Sequence, residues 1–134
     1  MPMLVFSDGR RVPLEIASSR AARRRGLLGR HSADGGAMLL TPCRNVHTLG
    51  MRFAIDVAHL SASNTVLRVR TMKANRLGPT VWRSRAVLEA DAGAFAAWGL
   101  AVATGLRCNR ELHPDLGFGT GFTNPGGHAH WEPR

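Results

Sequence analysis

Three kinds of reactive side chain lie close together in the middle of the sequence, a thiol, two imidazoles and a carboxylate, on Cys43, His47, His59 and Asp56. Cys43 and His47 are four residues apart, and a neighbouring histidine can activate a thiol as a nucleophile by lowering its effective pKa. Pro42 before this pair and Gly50 after it argue against a helix that would stack the two side chains. The favoured interpretation is structural: a half-buried cysteine, and a histidine that bonds the backbone near a bend.

A zinc site needs three or four ligands. Cys43 and His47 could supply two, and the candidates for a third are His31, Asp34 and His59. No second paired motif accompanies them. Near the end of the sequence, a segment rich in glycine and proline carries an HxH pair, His128 and His130. This pair lacks further ligands, so we expect no metal and no cofactor.

Two carboxylates lie within apolar runs: Asp56 between Ile55 and Val57, and Glu89 within AVLEA. An unpaired buried charge is very costly, so such a carboxylate either points to water or is buried with a partner. The possible partners are Arg30, Arg44, Arg52 and Arg83. Carboxylates and arginines around a pocket could serve acid–base chemistry or hold an anionic ligand. Structural ion pairing is the favoured interpretation.

The formal net charge is +9, and every basic residue except Lys73 is arginine. Apart from the run at 23–25 the charges are scattered, tyrosine is absent, and no series of aromatic residues could stack bases. Specific nucleic-acid binding is therefore not expected. The sequence also lacks a GxSxG elbow, a phosphate-binding P-loop, an HExxH pair and a GxGxxG turn.

The elements that position these residues follow from periodicity and turn signals. We expect a hairpin of strands at 3–6 and 12–16 around Asp8–Gly9, a helix from Ser18–Ser19 to about Leu28, and a strand at 37–40. Gly50 marks a bend, after which Ile55 and Val57 face one way while Asp56, Ala58 and Leu60 face the other. Further strands are expected at 66–72, 85–90 and 100–103, with a short helix capped by Asp91 and ending near Trp98.

This order predicts a mainly β fold, a small β-sandwich or partly closed barrel with two short helices. The predicted single domain spans 1–106, and a flexible tail rich in glycine and proline spans 107–134. No stretch of about 18 apolar residues could cross a membrane. The first residues lack the basic region of a signal peptide. With only two cysteines and no CxxC pair, the protein is expected to be soluble and cytoplasmic with reduced thiols.

Three motifs in order resemble the domain of unknown function 192 family, in the branch with an HTxGMRFPID-type core. They are RRGLLGR (24–30), GAMLLTPCRNVHTLGMRFAIDVAHL (36–60) and RAVLEADAG (85–93) followed by WGL. The resemblance implies a bacterial or archaeal protein with a compact β-sandwich or barrel and no established activity. The sequence departs at Ala54, where the branch usually has proline. The motif residues carried over are Gly26, Leu27, Arg30, Pro42, Cys43, His47, Thr48, Gly50, Met51, Arg52, Asp56, Leu88 and Glu89.

The sequence leaves three candidate functions. The favoured one is a non-enzymatic accessory domain that binds a small polar or anionic ligand, or a protein segment, in a shallow pocket; its candidate residues are His47, Arg52, Asp56, Glu89, Cys43 and Arg30. The second is a hydrolase or metal-assisted enzyme in which Cys43 or His47 acts with Asp56 or Glu89. The third is association with nucleic acid or with pilus machinery through the basic surface.

Overall fold

The computed structural model describes residues 2–109, which form a mainly β domain. The strands are β1 (Met3–Val5), β2 (Arg11–Ala17), β3 (Ala37–Leu40), β4 (Ile55–Leu60), β5 (Val66–Met72), β6 (Ala86–Asp91) and β7 (Arg107–Asn109). The helices are α1 (Arg20–Arg25) and α2 (Ala94–Trp98). The predicted class, mainly β with two short helices in one domain, is confirmed. Among the described residues no helix is long and apolar enough to cross a membrane.

The seven strands form one mixed sheet in the order β5-β4-β6-β3-β2-β1-β7. Strand β2 pairs antiparallel with β1 and parallel with β3, and the other neighbours are antiparallel. The edge strands β5 and β7 do not pair with each other, so the sheet is not closed into a barrel. One bridge, between Thr65 and Gly105, joins the segments that precede these two strands.

The sheet is covered on both faces, which is why β3 and β4 are buried along their whole length. Alternation along β4 sends Ile55 and Val57 to one face and Ala58 and Leu60 to the other, as predicted. The first core cluster lies under α2 and includes Leu4, Leu14, Leu39, Leu60, Leu88 and Phe95. The second lies under the segments that follow α1 and β3, and includes Leu27, Met38, Leu40, Met51 and Val57.

Helix α1 begins where the sequence predicted and ends earlier. The Ser19 hydroxyl accepts a hydrogen bond from the Ala22 N–H at 3.0 Å, which is the expected N-cap. The helix ends at Arg25 rather than near Leu28, because Gly26 adopts a φ of +49° and terminates it. Leu27 then turns into the second core cluster. Shortening the helix in this way brings the Gly26–Leu27 backbone down onto the sheet.

Two predictions near the end of the described chain are wrong. Asp91 does not cap α2; its carboxylate accepts a hydrogen bond from the Ala33 N–H at 2.8 Å instead. The predicted strand at 100–103 is a turn, and β7 follows it and pairs with β1. The predicted domain boundary at 106 therefore falls one residue before a strand of the sheet. The rest of the predicted tail lies outside the described residues and stays a prediction.

Candidate functional site

A cavity of about 440 Å³ lies on the face of the sheet that carries the second core cluster. Glu89 lines it from strand β6, and we call it the Glu89 cavity. Around Glu89 stand the end of α1 with Gly26 and Leu27, the end of β3 with Leu40, and the loop from 42 to 51. Its apolar lining residues are Leu27, Leu28, Leu40, Pro42, Val46, Leu49 and Met51. The volume falls within the range of small-molecule sites.

Glu89 is buried on a strand in the middle of the sheet. It pairs with Met38 of β3 and Val57 of β4, and alternation points all three side chains into the second face. Only 3% of Glu89 is exposed, and its Oε1 atom has no hydrogen-bond partner among the described residues. Burial raises the pKa of this carboxyl to about 7, and the backbone N–H of Leu27 lowers it in part. The carboxyl is therefore poised to change charge near neutral pH.

Gly26 lets the backbone approach this carboxyl closely. A Cβ atom at position 26 would lie 2.9 Å from Glu89 Oε1, and the φ of +49° is a conformation that side chains disfavour. The glycine therefore both ends α1 and makes room for the carboxyl beneath it. The two roles explain why RRGLLGR and AVLEA, distant in the sequence, meet in one site.

Cys43 lines the cavity as a half-buried thiol. Its Sγ donates a hydrogen bond to the Asn45 carbonyl at 3.0 Å. Burial raises the pKa of the Cys43 thiol to about 11; the negative charge of Glu89 adds to this, while the Asn45 backbone and Arg23 act against it. A thiol in this state is protonated at neutral pH and is a poor nucleophile.

His47 lines the mouth of the cavity and is exposed. Its Nδ1 accepts a hydrogen bond from the Leu49 N–H at 3.2 Å, and its backbone pairs with Leu77 in an isolated bridge. This is the expected histidine that bonds the backbone near a bend. No hydrogen bond joins His47 to Cys43 in the described part of the chain.

Arginines form the charged rim of the cavity. They come from α1 and from the loop after β3: Arg20, Arg23, Arg24, Arg25 and Arg44. Within residues 2–109, Glu89 is the one acidic residue in the lining. Most of the α1 arginines are exposed, and they also surround the entrance to an apolar cavity. This placement was missed because nothing local in the sequence tells which way the helix faces.

Asp56 lies on the opposite face of the sheet from Glu89. Its carboxylate accepts hydrogen bonds from the Thr71 hydroxyl at 2.7 Å and from the Gly93 and Phe95 N–H groups, each at 3.0 Å. The predicted ion pairing of the buried carboxylates is wrong: Asp56 uses backbone N–H groups at the start of α2, and Glu89 has no salt bridge among the described residues. The role of Asp56 is to fix α2 on the sheet.

The two remaining candidates also lie away from the cavity. Arg30 forms a two-point salt bridge with Glu15 at 2.6 and 2.8 Å, and Arg52 is exposed without lining the cavity. Of the six predicted site residues, the structure thus brings together Cys43, His47 and Glu89. It leaves Arg30, Arg52 and Asp56 apart from them.

Possible metal ligands do not gather in the described chain. Within residues 2–109 there is no group of three or more histidine, cysteine, aspartate or glutamate side chains that could hold a metal ion. His59, one of the candidate third ligands, is buried on β4, and neither ring nitrogen has a hydrogen-bond partner among the described residues. Burial lowers its pKa, which keeps the ring neutral. The HxH pair at 128 and 130 lies outside the described residues.

A second, more open cleft of about 640 Å³ lies beyond the β4–β5 turn. We call it the Trp82 cleft. Three arginines, an indole and three hydroxyl groups line it: Arg44, Arg83, Arg85, Trp82, Ser61, Ser63 and Thr65. Trp82 is 78% exposed, and Arg44 Nε donates a hydrogen bond to its carbonyl at 3.1 Å. Among the described residues, none that lines this cleft is acidic.

Fold and site together define a small, mainly β domain with one buried carboxyl in an arginine-rimmed cavity. The profile of the DUF192 family, described as an uncharacterised ACR, matches residues 3–108. The chain belongs to this family, and the resemblance predicted from its motifs is confirmed. No curated protein matches the sequence.

Two solved structures share the fold. A protein of unknown function from Novosphingobium aromaticivorans has a TM-score of 0.67 and 16% identity, over 79% of this chain and 82% of that one. A putative transcription regulator from Sinorhizobium meliloti has a TM-score of 0.65 and 19% identity, over 80% of this chain and 91% of that one. At these identities the likeness concerns the fold alone.

Proposed function

We propose that this protein is a non-enzymatic binding domain whose Glu89 cavity holds a small amphipathic anion. The observation that carries the proposal is the composition of the cavity, with apolar walls, one buried carboxyl, and five arginines around it. An apolar body would replace water against residues such as Leu40 and Met51. An anionic group would remain near the guanidinium groups of the rim, where charge-assisted hydrogen bonds are available.

Probes with the same apolar tail and different head groups test whether the Glu89 cavity prefers an anionic ligand. Octanoate, 1-octanol and octylammonium share an apolar tail and differ in the head group, and their dissociation constants can be measured by titration of ¹H–¹⁵N spectra. We expect octanoate to bind most tightly and to shift the Gly26 and Leu27 amide signals. Equal binding of octanoate and octylammonium, or shifts that avoid these amides, would contradict the proposal.

Paired variants provide the control. Arg20 and Arg24 line the cavity and are exposed, so Arg20→Gln with Arg24→Gln removes rim charge without removing core contacts. We expect octanoate to bind about tenfold more weakly, a change equivalent to about 1.4 kcal/mol. The matched control is Arg11→Gln with Arg70→Gln, which removes two exposed arginines outside both cavities. Octanoate affinity should be the same in this control as in the unmodified protein.

The enzymatic alternative has less support. A nucleophilic Cys43 would need an ionised thiol, and burial raises its pKa to about 11. Asp56 faces the other side of the sheet and is fully used by hydrogen bonds. Glu89, with a pKa of about 7, has the proton affinity of a general acid or base, but the thiol that shares its cavity, Cys43, is protonated at neutral pH. The geometry therefore favours binding over catalysis.

A second candidate function rests on the Trp82 cleft. An exposed indole with three arginines is the combination that stacks a base and neutralises phosphates in single-stranded nucleic acid. Binding of a fluorescent oligothymidylate should weaken about tenfold or more with Trp82→Ala, since base–aromatic stacking contributes on the order of 1–3 kcal/mol. Binding should also weaken steeply with added salt. No binding at low salt would remove this candidate.

A further inference from the structure

We infer that the ligand of the Glu89 cavity carries a hydroxyl group at the end opposite its anionic group, and that this hydroxyl bonds Glu89 Oε1. The inference rests on the proposed function and narrows its ligand class to amphipathic hydroxy acids. The observation behind it is that Oε1 is a buried polar atom without a partner, on a side chain that lines the cavity. Buried polar atoms in folded proteins nearly always have a hydrogen-bond partner.

The described chain offers Oε1 no partner of its own. The neighbours of Glu89 across the sheet, Met38 and Val57, are apolar. On the cavity side, the Cys43 thiol already donates to the Asn45 carbonyl. Gly26 lies close to Oε1 and has no side chain that could bond it. A ligand hydroxyl in the cavity that Glu89 lines would complete the bonding of this carboxyl.

The protonation behaviour of the site explains why a hydroxyl suits it better than other groups. A neutral carboxyl both donates and accepts hydrogen bonds, whereas a carboxylate only accepts them. The pKa of Glu89 is about 7, so both forms are populated near neutral pH. A hydroxyl group can donate or accept and so complements either form. An ammonium group can donate but cannot accept, and a methyl group can do neither.

The groups that face Glu89 come from each element around it. The segment after β3 contributes Cys43 and α1 contributes Arg23, and both side chains line the same cavity as Glu89. His47 lines the cavity from the loop. Strands β3 and β4 contribute the apolar Met38 and Val57.

The test compares octanoate with 8-hydroxyoctanoate on the unmodified protein and on two variants. We expect 8-hydroxyoctanoate to bind about tenfold more tightly to the unmodified protein, the effect of one good hydrogen bond to a buried group. In Glu89→Gln, which keeps a donor and an acceptor, most of this preference should remain. In Glu89→Leu, which is apolar and of similar size, the preference should vanish while octanoate still binds.

The outcomes separate the two proposals. If octanoate binds and 8-hydroxyoctanoate binds no better, or if the hydroxyl preference survives in Glu89→Leu, the inference is overturned and the proposed function stands. If neither probe binds, both the inference and the proposed function are wrong. Should Glu89→Leu fail to fold, a pH series on the His47→Gln variant decides. Octanoate affinity should fall between pH 6 and pH 8, because the Glu89 carboxyl ionises while the methyl end of the ligand lies beside it. The affinity of 8-hydroxyoctanoate should fall less over the same range. An equal fall for both ligands would refute the hydroxyl contact.

Discussion

The buried carboxyl of Glu89 should make the stability of this protein depend on pH in an unusual direction. Burial raises its pKa from 4.5 to about 7. Between these values the folded protein holds a proton that the unfolded chain has released. The contribution of Glu89 to stability is therefore greatest below about pH 4.5, falls as the pH rises through this window, and is fully reduced above about pH 7. Glu89→Gln, which stays neutral, should lack this fall.

The magnitude follows from the shift. One pKa unit corresponds to about 1.4 kcal/mol, so the whole displacement reduces the free energy of unfolding by about 3 kcal/mol. About 2–3 kcal/mol of this reduction occurs between pH 5 and pH 8. The assay is urea unfolding followed by tryptophan fluorescence, for the unmodified protein and Glu89→Gln at both pH values. At each pH, the free energy of unfolding of Glu89→Gln is subtracted from that of the unmodified protein. The change in this difference from pH 5 to pH 8 is the quantity of interest, because the fixed cost of burying an amide cancels in it.

Two features make the comparison specific. His59 is buried and its pKa is lowered, but it is present in both proteins and its contribution cancels. Glu15→Gln is the matched control, because hydrogen bonds from Arg30 lower the pKa of Glu15 and keep it ionised from pH 5 to pH 8. Its effect should be small and equal at both values. If Glu89→Gln also changed stability equally at pH 5 and pH 8, the argument from burial would be refuted.

Three further outcomes are expected from single substitutions. Gly26→Ala places a Cβ 2.9 Å from a buried carboxylate oxygen, whereas Gly9→Ala meets nothing within 4 Å. In urea unfolding the former should be more destabilising by at least about 1 kcal/mol, and equal costs would argue against close contact at position 26. Asp56→Ala leaves two backbone N–H groups and a hydroxyl without their acceptor. It should destabilise by about 3 kcal/mol, and a loss below about 1 kcal/mol would mean that α2 is held by packing alone. Cys43, studied in a Cys108→Ala background, should react with iodoacetamide at pH 8 about 100-fold more slowly than free cysteine, because its pKa is raised from 9.0 to about 11. A rate like that of the free amino acid would show an ionised or exposed thiol.

The strands from β1 to β6 could be predicted because their signals are local. Alternation along β4 and β5 and the turn at Asn64 follow from residues within one or two positions of each other. The Ser19 cap was predictable for the same reason. The end of α1 was harder, because Gly26 and Gly29 are equally good stop signals. What decides between them is the fit of Gly26 against Glu89, a contact that no local pattern contains.

The partners of the two buried carboxylates could not be predicted for a similar reason. Asp56 bonds an N–H group 39 residues further along the chain, at the start of a helix whose nearest acidic residue is Asp91. Local reasoning assigns that cap to Asp91. Glu89 looked like a member of an ion pair because unpaired buried charge is costly. It avoids that cost by a raised pKa, which depends on the whole surrounding core.

The pairing of β7 with β1 has a consequence for how the chain is made. Met3 pairs with Asn109 and Val5 with Arg107, so the first strand in chain order receives its second neighbour only when the last strand of the sheet leaves the ribosome. The β1–β2 hairpin can form early, but its outer backbone edge stays unpaired through the synthesis of everything between. An open edge of this kind recruits strands from other chains. Aggregation of the nascent protein should thus depend on a three-residue strand, and a chain ending at residue 106 should aggregate more than one ending at 109.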